Sequence, residues 1–474
     1  MAYKDLREFI KKLEEEGELH RIKKEVDWNI ELGTIMRKVF DLRGPAVLFE
    51  KVKGSNITLL SGAMDTYKRY ALGIGESSQD LRSLLKKVLE ATKNPIKPVL
   101  VKDGVCKENM EKGKDIDLYK FPVPKWHELD GGRFIGTLGV VITRDPETGV
   151  RNVGIYRQQL HGKNKTGLMA LQQLGLMFEK YSAMKKPMPI VTAIGVDPAI
   201  LAASVCAVGY GEDELGIAGG LRGAPVELVK CETVDLEVPA NAEIVLEGYI
   251  PFDESEWEEE GPFGEFPGYY GGLKAKRPVV NLTAVTYRNN PVFQGTFEGK
   301  PPSESTTIRA IGHTVGEWDK LLKSGVPGVK DVLATDMGCA AFIIVVSMDR
   351  HYYGGNARQI MEAIWATSNK GKWVIVVDDD IDIYDREQVE WALATRVQPH
   401  RDIVITSDRE SAINLDPSVD PSVRDYPVQM GSRIGIDATI YFKGYKFPPI
   451  ARPTEEQMRE IENKWKEYGF GKGE

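Results

Sequence analysis

Cysteine and histidine are both scarce, four and six in a chain of 474 residues, and neither is clustered. Cys106, Cys206, Cys231 and Cys339 lie far apart without CxxC spacing. That argues against a disulfide framework or a zinc knuckle, and a reducing cytoplasm is the expected setting. The histidines include no HExxH pair, which disfavours a His-rich metal centre. Long apolar runs are also missing. No window resembles a membrane span, and Met1–Ile10 holds no stretch of signal-peptide length. There is no basic stripe either: net charge is −8 and basic residues are mixed among acidic ones, which argues against a general nucleic-acid binder. Internal repeats and low-complexity segments are absent.

What is present is ordinary for a soluble globular protein, 42% apolar and 28% charged. Such a length predicts roughly two to four domains. Leu6, Phe9, Ile10 and Leu13 stand at helical spacing and predict an amphipathic opening helix within 5–19. Strands at 46–49 and 57–60 and a helix at 80–92 make residues 1–117 a mixed α/β region. Across 118–307, short β-branched strands at 139–143, 190–196, 226–230, 242–248 and 279–285 are separated by Gly, Pro and Asp. One helix, roughly 168–183, interrupts them, and the texture predicts a barrel-like sheet. In 308–474, continuous apolar strands at 341–347, 373–377 and 402–406 alternate with helices at 356–368 and 387–395. That alternation predicts a parallel sheet covered on both faces, and an α/β (α+β) chain as a whole. The tail 455–468 reads as a charged amphipathic helix capped by Thr454, of a kind that packs on another subunit.

Two short runs carry the chemistry. Asn152-Val-Gly-Ile-Tyr-Arg157 places an amide and a guanidinium on one segment, with Arg157 expected at a strand end. Glu260-Gly-Pro-Phe-Gly-Glu265 holds two carboxylates around a restricted turn. One Arg with two Glu makes a proton-transfer set: the Arg holds an acidic group and a Glu carries the proton. Lys163 and Lys165 suit either a phosphate or a solvated loop. Glu214, ahead of a Gly-rich run, suits either a hard cation or a helix N-terminus. Asp378-Asp-Asp380 reads as a strand-end turn rather than a Mg²⁺ site.

Taken together, these segments resemble the UbiD family of reversible decarboxylases. The resemblance rests on 152–159 with Gly162-Lys-Asn-Lys165, Leu221-Arg-Gly223, Val238-Pro-Ala240, 243–248, 260–265 with Gly268-Tyr-Tyr270, Gly299-Lys-Pro-Pro302, 376–380 and 431–439, in family order over nearly the whole chain. It implies an N-terminal α/β domain (1–117), a central flavin-reductase-like split β-barrel (118–307) and a C-terminal α/β oligomerisation domain with a terminal helix (308–474). It implies prenylated FMN, supplied by a flavin prenyltransferase, with a divalent metal, Mn²⁺ foremost, and potassium. By position, Asn152, Gln173 and Glu214 match metal ligands, Gln173 standing where the family often has His. Asn152, Ile155, Tyr156, Arg157, Met169, Ala170, Leu171, Gln173, Glu214 and Arg433 match cofactor contacts, Arg433 standing where a Lys is expected. Arg157, Glu260 and Glu265 match the catalytic set.

The implied reaction is non-oxidative, reversible decarboxylation of an aromatic, heteroaromatic or α,β-unsaturated acid by a cytoplasmic homo-oligomer, dimer or hexamer. Thr296, Phe297, Ile308 and residues near Met337 are candidates for the specificity wall. A second reading takes a phosphorylated unsaturated acid of isoprenoid (mevalonate-type) metabolism, clamped by Lys300 and Arg309. A third is a flavin-binding subunit of a carboxylase complex.

Overall fold

The computed structural model describes residues 3–76, 80–169, 172–206, 209, 211–271, 274–406, 410–411, 415–419, 430–440 and 446–471. The opening helix is Leu6–Glu15: Asp5 caps it, and Leu6, Phe9, Ile10 and Leu13 are its buried face. It leads into a four-stranded sheet ordered Leu19–Ile22, Ala46–Phe49, Thr58–Ser61 and Val292–Gln294. The last of these comes from far along the chain and pairs in parallel with Thr58–Leu60. Strand Asn109–Lys112 in turn pairs with Val279–Tyr287 of the central sheet. Hydrogen bonding therefore crosses the sequence-based boundary at 117.

The central sheet is ordered Asn109–Lys112, Val279–Tyr287, Ile244–Ile250, Met188–Ile194, Val140–Arg144, Arg151–Ile155, with Lys165–Gly167 also on Val279–Tyr287. Every pair in it is antiparallel. The order does not close into a ring, so among the described residues the expected barrel is an open sheet ending at Arg151–Ile155. The chain leaves that strand after Ile155, and Leu160 then bridges Thr166. The interrupting helix is Gln172–Ala183.

In the C-terminal region the sheet runs Val329–Ala334, Ile343–Met348, Trp373–Asp378, Ile434–Ala438, Ile403–Ile405. Its three middle strands are parallel, but both edges are antiparallel, which corrects the all-parallel expectation. At the Val329–Ala334 edge the reason is local: the 335–342 connection is too short for the crossover that parallel neighbours require. The long helix Glu304–Lys323, with a Ser303 capping box, begins this region. Asp378 ends its strand in ion pairs with His351 and Arg396, consistent with the structural reading of that acidic run.

Candidate active site

The turn that carries both carboxylates is built from restrictions. Glu258–Glu260 pairs with Ala275–Arg277, and Phe263–Gly264 pairs with Tyr270–Gly271. Between them Gly261 adopts φ +86°, and its N–H donates to Gln159 Oε1 at 2.8 Å. Gly264 N–H donates to the buried Asp130 Oδ1 at 2.9 Å. A Cβ on Gly271 would stand 2.4 Å from Glu265 Cγ, so that position leaves the room Glu265 occupies.

This turn meets Arg157, two residues past the strand Arg151–Ile155. Arg157 Nε and Nη2 donate to the two oxygens of Glu260, each at 3.0 Å, and Nη1 donates to Glu265. Glu260 is 1% exposed and Glu265 5%. Burial raises the Glu265 carboxyl above the usual range; Arg157 opposes that, and the nearby Glu298 adds to it. The guanidinium is held charged by both carboxylates against its own burial.

Two adjoining compartments share Ile155, Tyr156, Arg309 and Leu415. The smaller, about 70 Å³, holds Arg157, Glu265, Glu298, Phe263 and Met169. The larger, about 470 Å³, is lined by Asn152, Gln173 and Glu214 and by Arg309, His313, Lys320 and Lys370. That volume lies in the range of cofactor sites.

Glu214 opens helix Glu214–Arg222, whose N-cap is Asp213. Its Oε2 accepts the Val153 N–H at 3.2 Å, and burial pushes its pKa up to about 8. No ion pair to it occurs among the described residues. A buried carboxyl with no direct ion pair, lining one cavity with the amides of Asn152 and Gln173, gives a set of hard oxygen donors that fits a divalent ion such as Mn²⁺ or Mg²⁺. Asn152 spends its amide nitrogen on the Tyr156 hydroxyl, at 3.5 Å, which leaves the oxygen for a ligand. Burial pushes the Tyr156 phenol up to about 12. No group of three His, Cys, Asp or Glu suited to a metal occurs among the described residues, so the amides are essential to any such site. Lys320 and Lys370 line the same cavity and bring ammonium groups that a flavin phosphate can use, so the residues present fit that group.

Most of the sequence candidates converge. Asn152, Ile155, Tyr156, Gln173 and Glu214 line the large compartment, and Arg157, Met169 and Glu265 the small one. Glu260 lies behind Arg157. Ala170 and Leu171 lie outside the described residues. Arg433 is placed differently from the expectation: its Nη1 donates to the carbonyls of Trp365, Ser368 and Lys370 at 3.4, 3.1 and 3.5 Å. The cation on the cavity wall is Lys370, on the loop that Arg433 holds. Lys300 is exposed and lines neither compartment, so it forms no clamp with Arg309. Thr296, Phe297, Ile308 and Met337 line neither compartment.

His313, Lys320, Lys370 and Glu298 were not singled out from sequence. Arg309, His313 and Lys320 had a readable signal, since spacings of four and seven put them on one helical face.

Comparison with known proteins matches nearly the whole chain. Residues 10–88, 97–301 and 310–438 match the N-terminal, Rift-related and C-terminal domain models of UbiD, 3-octaprenyl-4-hydroxybenzoate carboxy-lyase. An uncharacterized protein of Archaeoglobus fulgidus is 35% identical over 489 residues, covering 98% of this chain and 99% of that one. An evolved dimeric form of the UbiD-class enzyme HmfF from Pelotomaculum thermopropionicum, in complex with prFMN, is 37% identical with a TM-score of 0.82. The match covers 96% of this chain and 98% of that one. Vanillic acid decarboxylase of Sedimentibacter hydroxybenzoicus, in closed form, is 32% identical with a TM-score of 0.88 over 99% and 100% of the two chains.

Proposed function

Since the chain belongs to the UbiD family of carboxy-lyases, we propose that it is a reversible, non-oxidative decarboxylase of an aromatic, heteroaromatic or α,β-unsaturated acid, using prenylated FMN. The observation that carries this reading is the buried contact of Arg157 with both Glu260 and Glu265 in a compartment opening onto a cavity of cofactor size. Asn152, Gln173 and Glu214 would hold a divalent metal, Mn²⁺ foremost, and with it the cofactor phosphate. Lys370 and Lys320 add charge for that phosphate.

The cofactor, when bound, supplies the electron sink that an sp² carbon lacks when its bond to CO₂ breaks. The remaining work belongs to the chain. Arg157 orients the substrate carboxylate, and its two-point contact with Glu260 fixes the guanidinium plane. CO₂ departs from the ring or vinyl carbon as the C–C bond breaks, and that bond's electron pair ends in the new C–H bond. Glu265, whose burial favours the acid form against the pull of Arg157, gives that carbon a proton and is reprotonated from solvent. Run backwards, its carboxylate removes the proton.

The three-domain division, the split-barrel description of the central sheet and a cytoplasmic location belong to the same reading. Among the described residues no helix is long and apolar enough to cross a membrane. Helix Glu455–Asn463 and the turn after it leave Met458, Ile461, Tyr468 and Phe470 exposed, which suits a second copy of the chain. The test is a panel of carboxylic acids assayed for CO₂ release by protein produced with a flavin prenyltransferase. Release from at least one acid is expected. No release from any acid by protein with a loaded flavin spectrum would refute the reading.

A further inference from the structure

The small compartment contains a carboxylate that the mechanism does not use. Glu298 is 4% exposed and lines the compartment with Arg157 and Glu265. Its Oε1 accepts from Arg309 Nη2 at 3.2 Å. Its Oε2 is buried and accepts no hydrogen bond. The pair is firmly seated: the Glu298 carbonyl contacts His127 Nε2 at 2.7 Å, and Arg309 lies over the Phe266 ring at 4.9 Å. A buried acceptor left unpaired is costly, and in a ligand site it marks a place for a donor.

We propose that Glu298, with Arg309 beside it, is a specificity determinant that selects acids bearing a hydrogen-bond donor, a hydroxyl or ring N–H, remote from the reacting carboxylate. This rests on the decarboxylase reading above. Arg157 takes the carboxylate, so the substrate's other end meets Glu298 and Arg309. A hydroxyl satisfies both: it donates to the Glu298 Oε2 and accepts from the guanidinium. An acid without a donor leaves Oε2 unpaired. A second carboxylate would be drawn by Arg309 but repelled by Glu298, which already neutralises it.

The test uses the holoenzyme and three matched aromatic acids: a plain monocarboxylate, its hydroxylated counterpart and its dicarboxylate. The hydroxylated acid should have kcat/KM about 10- to 100-fold above the other two, the value of a hydrogen bond to a charged group. Glu298→Leu should bring the hydroxylated-to-plain ratio close to one and, by freeing Arg309, raise the dicarboxylate's relative rate. Glu298→Gln keeps shape and an acceptor oxygen and should retain part of the preference, which guards against misfolding of the leucine variant. Equal use of the three acids by the wild type, or an unchanged ratio in Glu298→Leu, overturns the inference and leaves the decarboxylase reading intact. A uniform fall for all three acids also overturns it, because Glu298 would then be acting through Glu265. Loaded enzyme that releases CO₂ from no acid overturns the decarboxylase reading and the inference with it.

Discussion

Replacing Arg157 with Met tests whether one guanidinium is the counter-charge for two buried carboxylates. In the folded protein Glu260 and Glu265 are 1% and 5% exposed, and Arg157 contacts both. Breaking a buried ion pair by removing one partner costs about 3–5 kcal/mol, and here two carboxylates are stranded. They escape part of the cost by taking up protons, which makes the loss depend on pH. With their folded-state values raised above the unfolded value of about 4.3, the folded variant binds more protons than the unfolded chain. Stability is then retained near and below that value and lost as pH rises, by up to about 1.4 kcal/mol per pH unit for each carboxyl. Denaturant unfolding of wild type and Arg157→Met at pH 5 and pH 8 reads this directly. The variant should be mildly destabilised at pH 5 and lose several kcal/mol more at pH 8. Adding Glu260→Gln and Glu265→Gln should recover most of the pH 8 deficit. A variant as stable as wild type at pH 8, or a deficit independent of pH, would refute the reasoning.

Three further outcomes are expected. Glu214→Gln should weaken Mn²⁺ binding at least about tenfold by calorimetry and reduce the flavin carried through purification, because a divalent ion then loses its only carboxylate among the three proposed ligands. Gln173→His should shift metal preference toward Zn²⁺ over Mg²⁺ in competition, since imidazole is the softer donor; unchanged preference would place Gln173 outside the metal shell. Arg433→Met should loosen the 365–370 loop that carries Lys370 and lower flavin retention, with Arg433→Lys restoring only part, because an ammonium lacks the guanidinium's rigid plane and its further N–H groups. Wild-type retention in Arg433→Met would separate that loop from cofactor binding.

Much of the site is legible from sequence because it is local. Asn152 and Arg157 share one strand exit, and Gly261 fixes the turn between Glu260 and Glu265. Glu214 sits at a helix start that its Asp213 cap announces. What escaped is long-range. Lys370 reaches the cavity from a loop tied down by Arg433, far along the chain. Glu298 becomes informative only when its unpaired oxygen is seen beside Arg309. Strand texture predicted a barrel and a parallel sheet, but pairing order and edge direction depend on connections that texture does not encode. The fourth strand of the N-terminal sheet, Val292–Gln294, shows the same limit. The helical face Arg309–His313–Lys320 was the missed local signal, hidden because Glu304–Lys323 straddles the boundary expected at 308.

The most direct measurement follows solvent deuterium into product with Glu265→Gln holoenzyme. Wild type should release CO₂ and place one deuteron on the carbon that bore the carboxylate. Glu265→Gln should keep the flavin spectrum while both release and incorporation fall by at least about 100-fold, the scale of a lost general acid. Deuterium incorporation by Glu265→Gln at the wild-type rate would contradict the assignment of the proton to Glu265.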